Sequence, residues 1–202
     1  MKRYSKAEAI RIVVDAAKAY EKNLCGKVFR LCYELNGEMQ FLEFGFQAHN
    51  FKHFTGLYCR DCSSKQFYEK ALAGKLSERD FEFSSDAEYP NGNAHKKLAV
   101  LPMLPYIFSA PLLYGTFNNS GLYISADYFI GRTRAMISVG FRYKHPYDVP
   151  VSLYCEDIRK LSEKAVRILA VWEKNYGEGQ SWSLLYGKNP EKLQNTSEAG
   201  VS

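Results

Sequence analysis

The chain has 202 residues, 46% hydrophobic and 24% charged, the balance of a globular protein able to bury a sizeable core rather than of a disordered or fibrous one. Its 27 Lys and Arg against 22 Asp and Glu leave a net charge of +5, which admits a phosphate-bearing partner but falls short of the strongly basic balance of dedicated nucleic-acid binders. No stretch is long and apolar enough to span a membrane, and Asp15, Lys18 and Glu21 break the first apolar run before a signal peptide forms. An odd number of scattered cysteines, Cys25, Cys32, Cys59, Cys62 and Cys155, fits reduced thiols in the cytoplasm better than a disulfide framework.

Ser5 followed by Glu8 reads as a capping box, and Ile10, Val13, Val14, Ala17, Tyr20 and Leu24 recur behind it at helical spacing. In KVFRLCYELNGEMQFLEFGF, Phe29, Leu31, Tyr33 and Leu35 alternate with mostly polar residues, and Asn36-Gly37 marks a tight hairpin turn. On the return strand the apolar phase slips from Met39 and Phe41 to Leu42, Phe44 and Phe46, which predicts a bulge. The stretch NFKHFTGLYC follows. Ser63 with Gln66 then caps a short helix ending at Gly74, KLSERDF starts a further turn, and YPNGNAH marks a loop.

KKLAVLPMLPYIF is helical in spacing but carries Pro102 and Pro105, so a helix that kinks or breaks is expected. From Leu112 the pattern returns to strands: LLYGTF, a turn at NNSG, LYISADYF, a turn at GRT, and RAMISVGFRY. In the last, Ala135, Ile137, Val139 and Phe141 share a core face, while Arg134, Ser138 and Arg142 share an outer, positively charged one. EDIRKLSEKAVRILAVWEKN reads as a final helix and SWSLLY as a final strand, and residues 191–202 are a polar tail with too little apolar content to fold. With no repeat, linker or shift in composition, residues 1–190 are expected to form one α+β domain, an N-terminal helix packed on an antiparallel sheet with inserted helices.

His49, His53, Cys59 and Cys62 form H-x3-H-x5-C-x2-C, a set of zinc-ligand types. Five residues between the pairs leave little room for tetrahedral convergence, so no metal site is expected, and no βαβ pattern makes Cys59-Arg60-Asp61-Cys62 a thioredoxin-like motif. No G-x-S-x-G elbow and no G-x-x-x-x-G-K-[ST] loop is present, which removes the common hydrolase and nucleotide-hydrolysing classes. What remains is a histidine with hydroxyls and basic groups, the set that cleaves RNA without a metal or other cofactor. His53 titrates near neutrality and suits either proton role. Taken alone, however, a lone histidine in an aromatic stretch is most often structural.

His53-Phe54-Thr55-Gly56-Leu57 after an aromatic hairpin, then FYEKALAGKLSERDF, KKLAVLPML, YDVPVSLY and SWSLLYGK, together resemble the phage-encoded members of the Barnase/EndoU/colicin/RelE-like ribonuclease superfamily. The resemblance runs from about residue 26 to 190, with Phe54 where the usual form has leucine. It implies helices leading into an antiparallel sheet and a metal-independent endoribonuclease of toxin or phage-conflict type. It implies His53 for proton transfer, Thr55 as a phosphate or ribose contact, Lys97 and Lys188 as cationic groups, and Ser152 as a further contact. Arg134 joins this set from the strand pattern alone. The partners implied are an RNA substrate and an antitoxin or immunity protein, with no membrane involved. A noncatalytic nucleic-acid- or protein-binding module on the same fold is the alternative, and a small-molecule or nucleotide transferase, requiring a deep apolar pocket, is a third.

Overall fold

The computed structural model describes residues 2–83, 94–109, 111–117, 126–132, 135–177, 179 and 181–188. Helix α1 (Lys6–Asn23) begins at the expected box: the Ser5 hydroxyl accepts the Glu8 backbone N–H, and the Glu8 carboxylate accepts that of Ser5. Its apolar stripe buries Ala9, Val13, Ala16, Ala17 and Tyr20, with Tyr20 set edge-on to Phe46. Strands β1 (Lys27–Leu35) and β2 (Glu38–Phe46) form the predicted hairpin, with positive φ at Asn36 (55°) and Gly37 (83°) as a two-residue turn of this kind requires.

No bulge interrupts that hairpin, whose register runs unbroken from Lys27 opposite Phe46 to Leu35 opposite Glu38. The slipping apolar phase has another cause. Leu42, Phe44 and Phe46 point inward, whereas Met39 and Phe41 lie on the outer face, where Met39 meets Cys32 and Phe41 meets Trp172.

A single 3-10 turn (Ala48–Asn50) leads into α2 (Phe51–Thr55), followed by β3 (Leu57–Tyr58), α3 (Ser64–Leu72) and β4 (Glu82–Phe83), which pairs with β3. The predicted cap at Ser63 and the stop at Gly74, with φ of 67°, are both present. Cys59 and Cys62 are joined as a disulfide, their Cα atoms 5.9 Å apart across the turn before α3. This corrects the reading of the cysteines as separate thiols: the turn folds the C-x2-C pair onto itself, and a bonded pair has no thiolates to offer a metal. Cys25, Cys32 and Cys155 are free.

Helix α4 (Ala94–Val100) gives way to a 3-10 segment (Leu101–Ser109) that loses helical geometry at Tyr106, just after Pro105, so the break falls where proline removes a donor. Strands β5 (Leu113–Phe117), β6 (Tyr128–Arg132), β7 (Ile137–Arg142) and β8 (Val149–Tyr154) follow, then the single turn α5 (Ile158–Leu161), the long β9 (Ser162–Asn175) and β10 (Ser183–Gly187). The NNSG turn, most of YPNGNAH, Arg134 and residues 191–202 lie outside the described residues.

Two expectations are overturned here. Residues 162–175 are a strand, not a helix: a register shift between Cys32 and Tyr33 skips Leu169, so core contact passes from Ile168 to Val171. That three-residue step imitates a helical period, and the surrounding Glu, Lys, Ala and Leu add helical propensity that tertiary pairing overrides. The outer face of β7 is also not wholly charged, because Ser138 is fully buried and donates to the Glu156 carbonyl beside α5.

All large strands join one antiparallel sheet in the order β2-β1-β9-β5-β6-β7-β8, with β10 added to β9. The sheet curls until its ends meet: Gly45 donates to the Asp148 carbonyl and Asp148 donates to that of Glu43, each at 3.0 Å. Inside the curl pack Phe29, Phe44, Phe46, Phe108 and Phe141, with Phe29 and Phe108 centroids 4.6 Å apart and Phe44 and Phe141 4.7 Å. The result is the α+β arrangement read from the sequence. No helix among the described residues is long and apolar enough to cross a membrane.

Candidate active site

The site is built where β2 ends, just past its bridge to Asp148 ahead of β8, and the chain turns into α2. Gln47 donates its backbone N–H to the Asn50 side-chain oxygen at 2.8 Å, and the Asn50 amide reaches the Pro150 carbonyl at 3.4 Å, tying the entry of α2 to β8. Phe51 and Phe54, one turn apart, are fully buried against Tyr20, Tyr68 and Phe46. Anchoring that face leaves His53 on the outer one, exposed. The helix ends at Gly56, whose φ of 68° is a left-handed cap.

Thr55 is fully buried, and its hydroxyl donates to the Lys52 carbonyl at 2.8 Å while accepting the Leu57 N–H at 3.1 Å. Both capacities of the hydroxyl serve the backbone around the end of α2.

Lys97 enters from α4. It is only 8% exposed, and its ammonium donates to the His53 carbonyl at 3.0 Å and to the Ser152 hydroxyl on β8 at 2.8 Å. One buried cation therefore ties α4, α2 and β8 together. Among the described residues no carboxylate pairs with it, and burial lowers its pKa to about 8. The His53 pKa is lowered from 6.5, first by partial burial and then by the positive fields of Lys97, Lys52 and His49. The imidazole is therefore neutral at pH 7 and able to accept a proton, beside an ammonium able to hold an anion. Among the described residues no three His, Cys, Asp or Glu side chains converge as metal ligands.

His53, Lys97 and Ser152, drawn from three distant parts of the sequence, thus meet in one place, with Thr55 directly beneath. Lys188 does not join them. It is exposed at the end of β10, which lies against β9, and in the sheet β1 and β2 on one side, or β5, β6 and β7 on the other, separate β9 from β8. Sequence reasoning took His49 only as a zinc-ligand type and passed over Lys52, although both lie close to His53 in the chain and act on its imidazole.

A family model described as phage-Barnase-EndoU-ColicinE5/D-RelE like nuclease4 matches residues 12–189, most of the chain. No curated protein and no solved structure matches it.

Proposed function

Because the chain belongs to the phage-Barnase-EndoU-ColicinE5/D-RelE like nuclease4 family, we propose that it is an endoribonuclease that cuts RNA by attack of a ribose 2′-OH on the adjacent phosphate, leaving a 2′,3′-cyclic phosphate. The observation that carries this reading is the buried Lys97 ammonium beneath His53, held by two neutral oxygens and by no carboxylate among the described residues. A buried cation without an anion is costly in the free protein, and a phosphate arriving at His53 supplies the missing charge.

In this mechanism the neutral His53 imidazole removes the 2′-OH proton, and the oxygen so activated attacks phosphorus. The P–O5′ bond breaks as the P–O2′ bond forms, the departing 5′ oxygen takes a proton from water to leave as a 5′-hydroxyl, and the imidazolium returns its proton to solvent. Lys97 stabilises the charge gathering on the phosphate oxygens, and Ser152 holds the ammonium in place. Thr55 acts from below by fixing the turn that presents His53. The Lys97 and Lys52 ammonium groups beside His53 repel a metal ion and favour metal-independent chemistry. The substrate is RNA, Lys188 at the end of β10 is proposed to contact the strand away from the reacting phosphate, and Arg134 is proposed as a further RNA contact. A toxin or phage-conflict role in the cytoplasm, with an antitoxin or immunity protein as the restraining partner, fits the phage character of the family.

Incubation with RNA in the presence of EDTA tests the reading. Cleavage to cyclic-phosphate ends is expected, and intact RNA at all protein concentrations would instead favour a noncatalytic binding module.

A further inference from the structure

Strands β7 and β8 lose register at one point: Gly140 faces Ser152 while Phe141 faces Pro150, so Val151 is the extra residue of a bulge. Bulges re-aim the side chains next to them. Beyond this one, the Tyr154 ring lies across β7 at Gly140, where a Cβ would stand 3.1 Å from its Cε2. The same ring meets Phe129 edge-on, with centroids 5.6 Å apart. Glycine at 140 thus leaves the room the ring occupies. Burial raises the Tyr154 pKa, and the Ser152 hydroxyl and the Arg142 cation beside the phenol oppose that rise.

Arg142 stands two residues beyond Gly140 on β7 and so on the same face of the sheet as Ser152. It is exposed to solvent. Lys97, Ser152, Tyr154 and Arg142 therefore form a continuous polar row leading away from His53 across the outer face of β8 and β7. An ammonium stands at its inner end and a guanidinium at its outer end.

We propose that Arg142 binds a phosphodiester of the RNA strand next to the one that reacts at His53 and Lys97, setting the direction in which the strand crosses the site. The proposal rests on the nuclease reading and extends it. The planar guanidinium fork fits a phosphate in two parallel hydrogen bonds, and the Tyr154 ring packed on Gly140 limits where that fork can stand.

The test is binding of a 2′-O-methyl oligoribonucleotide, which lacks the attacking hydroxyl and stays intact, followed by anisotropy from low to moderate salt. Arg142→Ala is expected to weaken binding several-fold at low salt and to reduce the slope of log Kd against log salt by about 0.7, the value for one phosphate on a single strand. Arg142→Lys should restore the slope, since the charge returns, with only part of the affinity. An Arg142→Ala slope equal to wild type overturns the proposal, as does a wild-type protein that does not bind the oligonucleotide. Cleavage of ordinary RNA by the same proteins separates the two readings. Loss of cutting in His53→Ala together with an unchanged Arg142→Ala slope removes this inference alone. An Arg142-dependent slope without any cutting removes the reaction and leaves this binding contact standing.

Discussion

In the proposed mechanism Lys97 sets stability against activity within a single side chain. Its folded pKa of about 8 lies below the ordinary 10.5, so between those values the unfolded chain binds more protons and this residue makes stability rise with pH. Below about pH 8 the protein bears the full cost of the buried cation, on the order of 3 kcal/mol. Lys97→Met removes that cost, while leaving the His53 carbonyl and the Ser152 hydroxyl without a donor costs about 1 kcal/mol each. The variant is therefore expected to melt no lower than wild type at pH 7 and to lack the wild-type rise between pH 8 and 10.5, as paired calorimetric scans would show, while losing cleavage. The pH–rate profile follows from the same two groups. Its acidic limb should lie below pH 6.5, where His53 gains a proton, and its basic limb near pH 8, where Lys97 loses one. Thr55→Val should cost about 1–3 kcal/mol in denaturant unfolding, because two buried backbone groups lose their partner, yet slow cleavage per folded molecule by less than about tenfold.

The elements that sequence made legible are those whose signals are local. The Ser5–Glu8 and Ser63–Gln66 boxes, the Asn36-Gly37 turn and the break at Pro105 are each set by a few adjacent residues, and each is present. What was illegible depends on distant partners. The helical spacing in β9 arises from a bulge that only its pairing with β1 defines, and the apolar residues on both faces of β2 owe their places to Cys32 and Trp172. For the site, HFTG marked the position of His53, but that Thr55 turns inward and that Lys97 reaches His53 from α4 follow only from the packing of α2 and α4 against β8. A fully buried strand position predicts a definite cost: Ile168→Ala should destabilise by about 2–5 kcal/mol in denaturant. An exposed helical residue would lose less than about 1 kcal/mol.

At the scale of the molecule, the curl of the sheet is what makes the site. Pairing between Gly45 and Asp148 brings the two end strands together, so that α2, leaving β2, is set against β8 and within reach of α4. The aromatic interior fills the curl, and three residues far apart in sequence become neighbours. His53 is proposed to move a proton in RNA cleavage from a position that contributes little to packing. The most direct test of that role is the cleavage rate of RNA in EDTA by wild type and His53→Ala, each normalised to the folded fraction from a melting curve of the same sample. The His53→Ala rate is expected to fall by roughly 10² to 10⁴ at an unchanged melting temperature. A variant whose folded fraction cuts RNA as fast as wild type would contradict it.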